Sequence, residues 1–127
     1  MDLIFSTATS DLFEYGEEVV KRWQIQFPRD FILNCLEHPV VAFDDKEPVG
    51  LFEVSIDYYE GTMWIDALWV HPDHRLSGYG SAILDYIVAT CQYSKVKLFA
   101  ANHSQPFYEK HRFANSNGKY YERRINE

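Results

Sequence analysis

The fold is decided by a strand, a loop and the start of a helix in immediate succession: Leu68-Trp69-Val70-His71-Pro72-Asp73-His74-Arg75-Leu76-Ser77-Gly78-Tyr79-Gly80-Ser81. The junction Arg75-x-x-Gly78-x-Gly80 opens directly into a long apolar helix. Backbone N–H groups at a helix start carry partial positive charge, and glycine lets a ligand approach the backbone closely. The pattern predicts a pyrophosphate-binding turn, and a tight strand-to-helix turn without a ligand is the alternative.

Two other phosphate-binding loops are excluded by the sequence. The Gly-x-x-x-x-Gly-Lys-Ser/Thr pattern is absent. The three-glycine dinucleotide fingerprint, with an acidic residue at the following strand, is absent as well. The junction therefore indicates a third kind of phosphate site or none.

Outward from this junction, apolar periodicity predicts a mixed sheet with helices on both faces. Alternating residues predict strands, and apolar residues at helical spacing predict helices. The predicted strands are 3–8, 40–43, 49–57, 62–70, 96–101 and 119–125, and the predicted helices follow the cap at 9–11 and cover 29–37, 78–93 and 104–111. The order is β-α-α-β-β-β-α-β-α-β, an α+β fold with a mainly antiparallel sheet. We expect residues 1–127 to form a single domain.

Composition limits the class of protein. Hydrophobic residues make up 46% of 127 residues, enough for a core without disulfides. The formal net charge of -7 disfavours nucleic acid as a partner, because an acidic protein repels phosphates. Without a signal peptide or a long apolar run at residues 1–10, we expect a cytoplasmic protein with no membrane association. The two cysteines, Cys35 and Cys91, are expected to be reduced core residues.

Two ordered motifs resemble those of the GNAT superfamily of N-acetyltransferases. The first is Val70-x-Pro72-x-x-Arg75-x-x-Gly78-x-Gly80 followed by an apolar helix. The second is the stretch 107–113, Phe-Tyr-Glu-Lys-His-Arg-Phe, which is similar to the closing helix of that family. Arg112 stands where the family normally has glycine, which makes the geometry of that turn an open question.

The resemblance implies a site for acetyl-CoA. The backbone of Leu68 and Val70 would hydrogen-bond the pantetheine arm, and Asn102 is a looser match to a cofactor-binding asparagine. Tyr108 matches the tyrosine beside the thioester sulfur. The residues of the pyrophosphate cradle would be Arg75, Leu76, Ser77, Gly78, Tyr79, Gly80 and Ser81.

Acetyl transfer to an amine needs a base and an acid. An alkyl ammonium has a pKa near ~10.4 and must lose a proton before it attacks. Asp66, which shares a strand face with Trp64 and Leu68, is the preferred base. Glu53 and a base-free route through water remain as alternatives. Tyr108 is the expected general acid for the thiolate, and simple packing on the cofactor is the alternative for this residue.

Several choices stay open from sequence alone. The run His71-x-Asp73-His74 contains zinc-ligand residue types but not the spacing of a zinc motif, so we expect polar loop residues and no metal. The predicted activity is an N-acetyltransferase acting on a small-molecule or peptide amine. A catalytically idle domain that binds acyl-CoA is the alternative. The acceptor and the oligomeric state are undetermined, with a homodimer as one option.

Overall fold

The computed structural model describes residues 2–31, 36–118 and 120–125. The described chain contains seven strands and three α-helices. The strands are β1 (Ile4–Phe5), β2 (Val40–Asp44), β3 (Glu47–Asp57), β4 (Thr62–Val70), β5 (Lys95–Leu98), β6 (Ala114–Ser116) and β7 (Tyr120–Arg124). The helices are α1 (Phe13–Gln26), α2 (Tyr79–Thr90) and α3 (Gln105–Lys110), with 3₁₀ turns at Pro72–His74 and Asn102–Ser104.

The strands form one sheet in the order β1-β2-β3-β4-β5-β7-β6. Four of the pairings, β1–β2, β2–β3, β5–β7 and β6–β7, are antiparallel, and β4 pairs with β5 in parallel. The parallel pair is the one joined through α2, because parallel strands need a crossover connection. The expected α+β fold with a mainly antiparallel sheet is confirmed.

The β2–β3 hairpin forms where the sequence predicts it. Asp44 pairs with Glu47, and the two residues between them, Asp45 and Lys46, have φ angles of 48° and 69°. Two central residues with positive φ match the twist of the flanking strands. The polar run after β2 therefore makes a tight two-residue turn.

The chain divides into two compact units, which are described separately. The first comprises Met1–Glu53 with Ala67–Ile83. Its apolar core is formed by one face of α1 against β2 and β3 and contains Val19, Val20, Trp23, Phe31, Val41, Phe43 and Leu51. Gly16 allows α1 to lie close to β1, since an added Cβ would come within 2.5 Å of Ser6 Oγ.

The second unit comprises Val54–Asp66 with Leu84–Glu127. Its buried apolar residues come from β4, α2, β5, α3, β7 and the turn after α3, and they include Ile65, Leu84, Ile87, Val96, Leu98, Tyr108, Phe113 and Tyr121. Val96 and Leu98 alternate with Lys97 along β5. Because strand side chains alternate between faces, one face of β5 is directed into this core and the other is not.

The two cysteines have different outcomes. Cys91, which follows α2, is buried, as expected of a core residue. Cys35 lies outside the described residues. The expectation for the second thiol therefore stays a prediction.

Several predicted boundaries are wrong. The opening strand is only Ile4–Phe5. The strand β5 ends at Leu98, and the next residue, Phe99, is exposed and outside the strand. The predicted helix 29–37 falls partly outside the described residues, and its described ends at 29–31 and 36–37 are turn, bend or irregular backbone.

The predicted order also lacked β6. Its sequence Ala-Asn-Ser has no apolar alternation, and the strand exists because it pairs with β7. The turn between them contains Asn117 and Gly118, both at positive φ. Gly118 N–H donates to Asn115 Oδ1 at 2.9 Å, which closes this turn.

Candidate active site

The loop between β4 and α2 has the backbone of an anion-binding turn. Leu76 and Gly78 have φ angles of 67° and 85°, on either side of Ser77. Left-handed residues placed between right-handed or extended ones turn successive N–H groups toward one concave side. Leu76, Ser77 and Gly78 are all exposed, so this concave side is open. These φ angles fit the cradle that the glycine spacing predicts, and binding of a pyrophosphate there stays a prediction.

The first turn of α2 adds further donors. Ala82 N–H donates to the Gly78 carbonyl at 3.1 Å. The N–H groups of Tyr79 and Gly80 precede this bond and have no acceptor within the helix. A helix start with such donors favours negative charge. The residues of this loop thus fit a pyrophosphate by their backbone rather than by their side chains.

The side chain of Arg75 is about half exposed, at 49%, and binds groups at the end of β4 and after α1. Its Nε donates to the Val70 carbonyl at 2.9 Å, and its Nη2 lies 3.4 Å from Asp30 Oδ2. The same carboxylate oxygen accepts a hydrogen bond from Trp69 Nε1 at 3.1 Å. Arg75 therefore holds the loop after α1 against the end of β4. Its expected contact with the pyrophosphate stays a prediction.

Tyr79 anchors the beginning of α2. Its hydroxyl donates to Asp44 Oδ2 at 2.5 Å, at the end of β2. This hydrogen bond, with a smaller contribution from burial, raises the pKa of Tyr79 because it stabilises the protonated phenol. His74 Nε2 lies 3.3 Å from Glu47 Oε1 beside this pair. The cradle is therefore fastened to the β2–β3 hairpin at both of its ends.

The two candidate bases lie in different surroundings. Glu53 is buried at 6% exposure in the first unit, and its Oε1 accepts a hydrogen bond from the His38 N–H. Asp66 is exposed in the second unit, and its Oδ1 accepts a hydrogen bond from Ser55 Oγ at 3.1 Å. Both remain predictions, since either carboxylate can accept a proton. The exposed one exchanges protons with water more readily.

Tyr108 is a buried residue with a polar end. Its exposure is 8%, and within the described part of the chain no group hydrogen-bonds to its hydroxyl. Burial raises the pKa of Tyr108 to about 12, because the phenolate would lose its hydration. The hydroxyl oxygen itself is not fully buried, since Thr62 Oγ1 is the only fully buried side-chain polar atom without a hydrogen bond in the described chain. An atom of a bound ligand is a natural partner for this hydroxyl.

The remaining predicted cofactor-binding residues are Asn102 and, on β4, Leu68 and Val70. Asn102 is exposed in the 3₁₀ turn before α3, and its Oδ1 accepts a hydrogen bond from Gln105 Nε2 at 3.3 Å. Leu68 and Val70 are half-buried on β4. The Val70 carbonyl already accepts the bond from Arg75, although a carbonyl oxygen has a second lone pair. Their expected cofactor contacts stay predictions.

Comparison with known proteins decides the family. Residues 5–113 match the family model described as Acetyltransferase (GNAT) family. The chain belongs to the GNAT family of acetyltransferases. No curated protein matches its sequence.

Solved acetyltransferase structures share the fold of this GNAT protein. An acetyltransferase from Thermus thermophilus has a TM-score of 0.74 at 17% identity, covering 98% of each chain. The Tetrahymena GCN5 structure has a TM-score of 0.67 at 15% identity, covering 99% of this chain and 97% of the other. These likenesses show the fold.

A third similar structure was solved with ligands. N-acetylglutamate synthase from Neisseria gonorrhoeae, complexed with coenzyme A and N-acetyl-glutamate, has a TM-score of 0.67 at 16% identity. The match covers all of the present chain and 36% of that enzyme, so the chain spans about a third of its length.

Two further properties concern metals and membranes. Within residues 2–31, 36–118 and 120–125, no three His, Cys, Asp or Glu side chains are grouped to hold a metal ion. His71 Nδ1 accepts the Asp73 N–H at 3.1 Å, a local turn interaction. None of the helices in the described chain combines the length and the hydropathy needed to cross a membrane.

Sequence reasoning missed two parts of this GNAT protein. Asp30, which binds both Trp69 and Arg75, follows a helix-ending proline and has no motif around it. Lys97 is buried on β5 and bonded to Glu60 at 3.1 Å. Its only sequence signal is a lysine that alternates with the apolar residues Val96 and Leu98.

Proposed function

We propose that this GNAT protein transfers an acetyl group from acetyl-CoA to a primary amine by direct attack within a ternary complex. The observation that carries the proposal is the cradle at residues 76–80, where positive φ angles and a helix start combine. Acetyl-CoA supplies an acyl group activated as a thioester. The remaining steps are assigned to residues of this chain.

Binding of the co-substrate is assigned to the backbone. Amides from Leu76 to Ser81 would hold the pyrophosphate, with Gly78 and Gly80 at the closest approach. Leu68 and Val70 would bind the pantetheine arm, and Leu68 N–H would donate to the thioester oxygen as negative charge develops there. Asn102 is a secondary contact. Arg75 supports the loop through Val70 and Asp30.

Activation of the amine is assigned to a carboxylate. At pH ~7 only about one alkylamine molecule in 2,500 is unprotonated, given a pKa of ~10.4. Asp66 is the first candidate for accepting the proton, because it is exposed and can pass the proton on to water. Glu53 is the second. The third route uses water alone.

Departure of the thiol is assigned to Tyr108. At a pKa of about 12 its phenol stays protonated throughout the neutral range and can only donate. It is then a weaker acid than a thiol of pKa ~8.5, so transfer to a free thiolate would be uphill. We therefore assign the proton transfer to the moment at which the carbon–sulfur bond breaks and the proton moves onto sulfur.

Titration calorimetry with acetyl-CoA and a thiol-release assay over a panel of primary amines test the proposal together. Binding followed by amine-dependent thiol release supports it. Binding without turnover would instead support the idle acyl-CoA-binding domain. If folded protein shows no heat of binding with acetyl-CoA, both the acetyltransferase and the idle acyl-CoA-binding domain are contradicted.

A further inference from the structure

An aromatic platform lies on one face of β4, β5 and β7 in the second unit. Trp64 and Phe99 stack with their ring centroids 5.2 Å apart and their planes 21° from parallel. Tyr120 meets Trp64 edge-on at 5.8 Å and Phe99 at 6.4 Å. Phe99 nevertheless remains 69% exposed. Three converging rings, of which Phe99 is largely exposed and Trp64 and Tyr120 are half-buried, indicate an interaction site.

The register places a carboxylate on the same face. Trp64 pairs with Lys97, and Ile65 pairs with Leu98, so Asp66 and Phe99 are the next residues along the chain. Ile65 and Leu98 are buried on the opposite face. Because side chains alternate along a strand, Asp66 extends to the side of Trp64, and Phe99 to the side of Lys97.

The charge beneath the platform is already neutralised. Lys97 Nζ lies 4.6 Å from the centroid of the Tyr120 ring and 5.7 Å from that of Trp64. Its side chain is only 7% exposed, and Glu60 Oε2 lies 3.1 Å from the nitrogen. By alternation the other charged residues of this face are Asp57 on β3, which carries the Ser55 that binds Asp66, and Lys95, Glu122 and Arg124 on β5 and β7. Glu122 pairs with Lys97 in the register, and Lys95 pairs with Arg124. Those two lie at the end of β5 away from Phe99.

Asp66 is the charged group at the Phe99 end. Its carboxylate is exposed, and its Oδ1 accepts from Ser55 Oγ at 3.1 Å. Within the described part of the chain, Oδ2 has no hydrogen-bond donor. An ammonium ion can therefore pair with this oxygen without breaking an existing bond. The face thus offers a flat apolar surface and, at one end, an anion.

We infer that this platform binds an arylalkylamine, a primary amine joined by a short chain to a flat ring. The ring would stack on Phe99, and the ammonium would pair with Asp66. The inference rests on the proposed function, because it names the amine acceptor. A straight-chain amine would pair with Asp66 only, and a neutral aromatic alcohol would stack only.

Calorimetric titration of the full chain with phenethylamine, butylamine and 2-phenylethanol tests the inference. Phenethylamine is expected to bind at least about tenfold more tightly than either other probe. Phe99→Leu keeps an apolar surface residue and is expected to weaken phenethylamine binding about five- to tenfold while leaving butylamine unchanged. Asp66→Asn is expected to abolish the preference for phenethylamine over 2-phenylethanol.

Tyr59→Leu provides the matched control. Tyr59 is a fully exposed aromatic residue of the second unit, and its ring contacts no other ring in the described chain. Its replacement should leave phenethylamine binding unchanged. Equal affinity for butylamine, no effect of Phe99→Leu, or a dimer in solution that dissociates on Phe99→Leu would each overturn the inference.

Thiol release separates this inference from the proposed function. If phenethylamine binds in a Phe99-dependent way but is not acetylated, the binding site is supported and the proposed acetyltransferase activity is contradicted. Acetylation of butylamine and phenethylamine at equal efficiency, unaffected by Phe99→Leu, would leave the activity standing and remove the platform as the acceptor site.

Discussion

The N–H of Phe113 donates to the carbonyl oxygen of Tyr108 at 3.0 Å, and their rings lie 5.8 Å apart. Arg112 N–H donates to the Glu109 carbonyl at 3.1 Å in the same turn. These two bonds with the ring contact form a Schellman motif at the end of α3. The motif needs a left-handed residue at its turn, and Arg112 adopts a φ of 70° there. The turn therefore keeps the geometry of a glycine despite the arginine.

Arg112→Gly should stabilise the protein. A left-handed φ destabilises the folded state by about 1–2 kcal/mol for a non-glycine residue, and glycine removes this strain. Glycine also has more conformational entropy in the unfolded chain, which offsets about half of the gain. The free energy of unfolding in urea should rise by about 0.5–1 kcal/mol. Arg112→Ala removes the same exposed side chain and keeps the strain, so it should show no gain. Equal stability of the two variants would show that φ at this position costs nothing.

Tyr108→Phe should lower kcat by about ten- to a thousandfold and leave the affinity for acetyl-CoA nearly unchanged. The reason is that only the proton donor is removed while the ring keeps its packing. Steady-state kinetics and calorimetry measure the two quantities. Tyr121→Phe, which removes a hydroxyl bonded to Glu109 at 3.2 Å, is the control and should keep kcat within about threefold. An unaltered kcat in Tyr108→Phe would exclude this residue from the chemistry.

Tyr108 should also make the protein sensitive to alkali. Its folded pKa of about 12 exceeds the unfolded value of ~10, so between these pH values only the unfolded chain loses the proton. The unfolded state then binds fewer protons, and stability falls as pH rises through this window. At pH ~11 the loss from this group should be about 1.3 kcal/mol relative to pH ~9.

Urea unfolding at both pH values, in the wild type and in Tyr108→Phe, isolates this contribution from the other tyrosines. The variant should lose less stability than the wild type by that amount. An identical loss in both proteins would mean that Tyr108 has the same pKa in the folded and unfolded states.

Gly78→Ala should weaken acetyl-CoA binding at least about tenfold. The φ of 85° at Gly78 disfavours any side chain, and a Cβ in the cradle would obstruct the close approach of a phosphate. Gly118→Ala is the matched control, because Gly118 has a φ of 70° and open space around its Cβ position. Calorimetry should show wild-type affinity for the control. Comparable losses in both variants would point to a general effect of destabilisation.

Replacement of the two carboxylates should identify the base. Asp66→Asn should reduce kcat/KM by about a hundred- to ten thousandfold at neutral pH, with recovery toward pH ~10, where the amine deprotonates unaided. Glu53→Gln keeps an acceptor for the His38 N–H and should stay close to wild type. The reverse result would make Glu53 the base. Wild-type kinetics in both would establish the route through water.

Much of the fold followed from local patterns. The predicted strand 62–70 coincides with β4, and the predicted hairpin forms at Asp45 and Lys46. Alternation and helical spacing are set by whether a residue faces the core, and they can be read without knowing the partner. Segments held by pairing alone carry no such pattern. The strand β6 and the early end of β5 at Leu98 could not be predicted for that reason.

By itself the sequence determined the family, the order of most elements and the loop at residues 75–81, because glycine spacing and apolar periodicity act over short distances. Only the tertiary structure decided that Arg75 binds Asp30, that Tyr108 is buried, and that three rings of the second unit converge. These contacts join residues from separate strands and loops. Their energies depend on distance and burial, which no local pattern encodes.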